Sequence, residues 1–99
     1  LPKRKPSLFS DERVCWKCGS PYAECHHIYG GNGRRSVSDR EGCYVYLCHA
    51  HHMMCHEHRR DESGEDLMER LRRECQRRWM EREGADEGDF IRTFGMSYL

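Results

Sequence analysis

The chain has 99 residues, 36% hydrophobic and 34% charged, with seven cysteines, seven histidines and a formal net charge of zero. That bounds it to one domain with a small core, the size at which a structural metal, disulfides or a partner chain usually adds stability. No apolar run approaches the roughly 18 residues of a membrane span, so no membrane role is expected. An odd cysteine count without a visible leader speaks against a secreted disulfide framework, so a reducing, cytoplasmic compartment is expected.

The charge is unevenly spread: residues 1–40 carry 8 Lys/Arg against 4 Asp/Glu, and residues 41–99 carry 9 against 13. "LPKRKPSLFS" opens a basic arm over 1–12, either a solvated tail or a phosphate-contacting segment using Lys3, Arg4 and Lys5. "CWKCGS" is a cysteine knuckle followed by turn-forming residues. Residues 23–29 and 42–48 read as extended, the second rich in β-formers at Tyr44, Val45 and Tyr46. "GGNGRRSVSDRE" between them reads as a loop, which makes the pair a β-hairpin with a long connection.

A histidine-dense stretch, "CHAHHMMCHEHRR", follows. Ser63 and Asp66 then form a capping-box pattern, acidic residues fill a first turn, and Gly84 stands at a helix stop. Leu67, Met68, Leu71, Cys75 and Trp79 lie at helical spacing as a core stripe. Arg70, Arg72, Arg73, Arg77 and Arg78 interleave with Glu69, Glu74 and Glu81 as a solvated, ion-paired face. Phe90, Ile91, Phe94, Tyr98 and Leu99 form a second short packing element. The predicted class is α+β: an arm over 1–12, a core over 13–60, and a helical extension over 61–99 packing on it.

Cys15 and Cys18 have the C-x2-C spacing of half a zinc site, and Cys48 with His51 repeats it thirty residues on as C-x2-H. Together they supply a closed Cys3His set for a structural Zn²⁺, with no open position for chemistry. Such an ion would tie the knuckle to the end of the second strand. Among the remaining histidines, His52 and His56 share one face if the chain turns helical there. One histidine from the hairpin would complete a three-His set with open positions, as hydrolytic chemistry requires. The adjacent His26 and His27 are two ligands, one ligand plus one base, or plain surface neighbours. The surplus Cys25, Cys43, Cys55 and Cys75 contain no further C-x-x-C, which leaves a redox or metal-sensing role little support.

The order "ECHHIYGG…GCYVYLCHAHH…H", with the knuckle before it and "F-x2-FG…YL" after it, resembles the HNH endonucleases of the ββα-metal group. The likeness is strongest to short phage and prophage members, covers roughly residues 13–60, and returns weakly over 90–99. It implies a zinc-stapled ββα-metal core and metal-dependent hydrolysis of DNA phosphodiester bonds leaving 3′-hydroxyl and 5′-phosphate ends. It also implies a phage or bacterial setting and DNA as partner, with a phage or host protein supplying targeting.

By that resemblance His27 is the general base, and His26, His52 and His56 hold a catalytic Mg²⁺, Mn²⁺ or other divalent transition metal, with His58 the alternative to His56. Adjacent strand residues point to opposite sides, so one histidine of the pair can hold an ion while the other addresses water. The family's middle Asn has no counterpart: Cys43 stands near its place, Asn32 is the chain's one Asn, and Asp39 is the candidate for orienting the loop instead. Arg34 and Arg35 are expected on flanking phosphates, with Arg40, Lys3, Arg4 and Lys5 extending the basic surface. The competing reading is a noncatalytic zinc module that binds nucleic acid or a protein, its histidines holding a second structural ion.

Overall fold

Aromatic and β-branched residues at 44–47 and the alternating "AECHH" give two short strands, β1 (Ala23–His27) and β2 (Tyr44–Cys48), paired antiparallel with His27 opposite Tyr44 and Ala23 opposite Cys48. The computed structural model describes residues 5–30 and 34–99, Arg34 by its backbone only. Four helices join the sheet: α1 (Arg34–Glu41), α2 (His49–His56), α3 (Leu67–Glu83) and α4 (Glu87–Phe94). The class is α+β. No helix among the described residues is long and apolar enough to cross a membrane.

The connection between the strands is not the continuous loop expected from its glycines and charges. Its second half is α1, whose "RRSVSDRE" carries almost no apolar signal. Tertiary contacts hold it: the Ser38 hydroxyl accepts from Tyr29 N at 3.2 Å and donates to Tyr29 O at 2.7 Å, and Cys43 N donates to Ser38 O at 2.8 Å. Glu41, at its end, accepts from the Trp79 indole at 3.1 Å and pairs with Lys5 at 3.2 Å. Burial raises the Glu41 carboxyl, but the Trp79 and Lys5 hydrogen bonds outweigh it and hold it below its ordinary value.

From Lys5 onward the arm is docked rather than solvated. Leu8 N donates to Gly42 O at 3.0 Å, the Ser7 hydroxyl to Tyr44 O at 2.5 Å, and Leu8 and Phe9 pack against the core. Gly42 makes this approach possible: its φ is +83°, and a Cβ there would sit 2.3 Å from the Pro6 carbonyl oxygen.

Helix α3 buries Leu67, Met68, Leu71, Cys75 and Trp79, the stripe read from its spacing, and ends on Gly84 in the left-handed conformation. Its N-cap is Asp66, accepting from Glu69 N at 3.0 Å, so the Ser63–Asp66 capping box does not form. Ser63 instead donates to the buried Asp61 carboxylate, which also receives Arg70 at 3.0 Å and Lys17 at 3.5 Å. That network joins the cysteine knuckle to the start of α3. Helix α4 carries the capping box Asp86–Asp89 and seats Phe90 and Phe94 against Trp79 and Tyr29, with ring centroids 4.4–5.6 Å apart. Tyr29, two residues beyond His27, ties this layer to the end of β1.

Candidate metal centres

Two clusters of donors draw on α2, one through His51 and the other through His52 and His56. The first gathers Cys15 and Cys18 from the knuckle, Cys48 from the end of β2 and His51 from the first turn of α2, with all four ligand atoms within 4.8 Å of one another. Gly19, at φ +77°, turns the knuckle back so that its N–H donates to Cys15 O at 2.7 Å. The Cys15 and Cys48 sulfurs lie 3.5 and 3.2 Å from His51 Nδ1, and Cys18 Sγ lies 3.9 Å from Cys48 Sγ. Zinc bonds of about 2.3 Å to sulfur and 2.0–2.1 Å to nitrogen give tetrahedral edges of about 3.8 and 3.5 Å, so the donor set fits that ion.

Burial works against ionising Cys15, but the backbone N–H groups of Cys48, Cys18 and Lys17 outweigh it and bring the thiol down to about 6. The Ser20 N–H favours a Cys18 thiolate, yet the neighbouring Cys15 and Cys48 sulfurs push Cys18 up. Thiolates crowded in this way are neutralised by a divalent cation.

The second cluster joins His26 on β1 with His52 and His56 on α2, again within 4.8 Å. His52 Nε2 and His56 Nε2 are 3.0 Å apart, the separation left by two nitrogens each about 2.1 Å from one ion at an angle near 90°. The His26 ring centroid lies 4.9 Å from that of His52 and 5.6 Å from that of His56. Local periodicity explains the meeting. Residues 24 and 26 share one face of the strand, and residues 52 and 56 share one face of the helix.

Glu24 accepts from His52 Nδ1 at 2.7 Å, which turns Nε2 toward the cluster. Glu24 was not anticipated as a site residue, although its place two residues before His26 was the available signal. Burial, then the charges of His52 and His56, push His26 down to about 3, so its imidazole stays neutral and able to donate a lone pair to a metal. His26 Nε2 also lies 3.3 Å from the Met68 sulfur, a contact between the strand and α3 that sequence spacing gave no means of finding.

His27 alternates to the other side of β1 and meets Asp39 of α1, Nε2 to Oδ1 at 3.1 Å. A carboxylate only accepts, so this bond keeps the proton on Nε2 and leaves Nδ1 with the lone pair. An open cavity of about 360 Å³ is lined by both members of the pair together with Gly30, Arg35, His52 and His56.

The other expected residues fall elsewhere. Cys43 is fully buried beside Cys75, whose contact, with burial, pushes its thiol far up; it packs the core and does not face His27. His58 has φ +52°, is exposed, and lies 3.7 Å from Asp66, outside the three-His cluster. His49 is exposed and pairs with Glu24 at 3.3 Å. Lys5 is held by Glu41 and Glu83, and Arg40 by Glu41 at 3.4 Å, so neither stands as an unpaired phosphate contact. Lys3, Arg4, Asn32 and the side chain of Arg34 lie outside the described residues.

Comparison with protein-family models, with curated proteins and with solved structures returns no match for this chain.

Proposed function

We propose that the chain is a metal-dependent DNA endonuclease of the HNH, ββα-metal type. The observation that carries this reading is a neutral His26 facing His52 and His56 while the adjacent His27, turned the other way and held by Asp39, opens on the same cavity. A three-nitrogen set leaves open positions on a bound divalent ion, whereas the Cys3His set is closed. The imidazole donors favour transition metals, and Mg²⁺ would fill its shell with water and phosphate oxygens.

When bound, the ion would stabilise the charge that builds on the phosphate and the leaving oxygen during hydrolysis. His27 accepts the proton of the attacking water at Nδ1 while Asp39 retains the Nε2 proton and fixes the ring. Asp39 is therefore a positioning residue. It also takes the place for which the family's Asn has no counterpart here. Arg35, exposed at the cavity wall, supplies a cation for a flanking phosphate. In this reading the Cys3His centre holds Zn²⁺ and staples the knuckle to the β2–α2 junction.

Supercoiled plasmid incubated with purified protein and Mg²⁺, Mn²⁺ or Ni²⁺ tests the assignment. Nicked or linear product is expected, and His27→Ala should lower the rate by about 10²–10⁴-fold. Absence of cleavage in every metal, or equal cleavage by His27→Ala, would refute it and favour the noncatalytic zinc module.

A further inference from the structure

Arg72 is the outstanding unexplained charge of α3. Its Nε is sealed from solvent and has no hydrogen-bond acceptor among the described residues. Nor does any carboxylate among them form an ion pair with its guanidinium, although acidic residues engage Arg70, Arg73, Arg78 and Arg82 on the same helix. The head is held in place nonetheless. Its Cζ lies 5.7 Å from the centroid of the Tyr98 ring, and that ring stacks on Tyr29 at 5.0 Å and 21°. Tyr98 is itself fixed by its N–H, which donates to the fully buried Gln76 at 2.7 Å. The sealed Nε is beyond the reach of an outside ligand; what this half-buried side chain offers an anion is the rest of its guanidinium, which lines an open groove and forms no ion pair among the described residues.

The surroundings fit an elongated anionic ligand. Arg72, Arg73, Glu69, Met96 and Tyr98 line a groove of about 370 Å³, as large as the histidine cavity. Met96 is exposed and gives the groove an apolar wall. The helix that carries Arg72 also touches the three-His cluster. Met68 touches His26, and Arg72 is four residues further along the same face of α3, about 6 Å along its axis.

We propose that this groove binds the DNA strand beside the histidine centre, with Arg72 gripping a neighbouring phosphate, Arg73 exchanging Glu65 for the same anion, and Met96 packing against the sugar. The strand's path rests on the nuclease reading, but binding in the groove does not require cleavage. Arg72 is a positioning residue: it anchors the strand and takes no part in proton transfer. The fork geometry of a guanidinium suits a phosphate's paired oxygens, and Glu69 at the rim opposes the same anion.

Fluorescence anisotropy with a labelled DNA duplex, in the His27→Ala background and over roughly 50–200 mM salt, tests it. Arg72→Gln should weaken binding about 10-fold and lower the slope of log affinity against log salt by about one, the signature of one lost phosphate contact. Arg72→Lys should keep the slope. Glu69→Gln should tighten binding, a gain that misfolding does not produce. Wild-type salt slopes for both Arg72→Gln and Arg73→Gln, with unchanged affinity for Glu69→Gln, would overturn the proposal, as would failure of the parent protein to bind DNA. A reduced slope in a protein that cleaves no plasmid would sustain the groove and reject the nuclease; cleavage with unchanged slopes would do the reverse.

Discussion

Glu24 illustrates how one carboxylate sets the chemistry of a neighbouring ring. With Nδ1 of His52 committed to Glu24 at 2.7 Å, Nε2 faces His56 and His26. Removing that constraint should loosen a metal without touching the ligands themselves. We expect Glu24→Gln to lower the affinity of the three-His cluster for Ni²⁺ or Co²⁺ by about 10–100-fold while the Cys3His centre keeps its ion, measured by calorimetric titration. The Cys43 position carries the complementary lesson. Near the place of the middle Asn in the HNH pattern the sequence resembles, it is sealed against Cys75 in the core, and Asp39 of α1 reaches His27 instead. Residue counting finds positions along a chain; it does not find which side chain a helix turns toward a neighbour.

At the scale of elements, the join between the knuckle and α3 depends on the buried Asp61. The Ser63 hydroxyl is the largest influence that draws its carboxyl well below the ordinary 3.8; burial opposes this, and Arg70 and Lys17 add to the lowering. A carboxyl depressed in the folded chain contributes stability that is complete above its unfolded value and is lost as pH falls through its folded value. The stability difference between the wild type and Asp61→Asn should therefore be constant above about pH 5 and shrink steadily below about pH 4, measured by denaturant unfolding at each pH. A difference that stayed flat to low pH would show that Asp61 is not the group holding this corner. Helix starts teach a related point. Ser63 and Asp66 both look like caps, and because Asp61 takes the Ser63 hydroxyl, α3 begins on Asp66, one turn later.

For the molecule as a whole, the small core is where an ion in the Cys3His cluster would add stability. Its donors come from the knuckle, the end of β2 and the first turn of α2, so a bound ion would tie the knuckle to the β2–α2 junction. Protein purified without chelator should carry at least one tightly held zinc per chain. Chelation, or Cys48→Ser, should abolish the cooperative thermal transition, read by circular dichroism with metal analysis in parallel. A sharp transition surviving complete zinc removal would show that the aromatic layer of Tyr29, Trp79, Phe90 and Phe94 suffices alone.

What the sequence determined by itself is what short-range periodicity dictates. The C-x2-C and C-x2-H pairs, the four-residue step from His52 to His56, the two strands flanking the glycine- and charge-rich connection, the apolar stripe of α3 and its stop at Gly84 all follow from local spacing and local backbone preference. The tertiary structure decided what depends on partners distant in the chain. Helix α1 exists through Ser38 and Tyr29, the arm docks through Gly42, and Lys5 is spent on Glu41 and Glu83. His58 is turned away by a left-handed residue, and Arg72 stands without a carboxylate among the described residues. Spacing shows which side chains share a face of one element; only packing shows what that face meets.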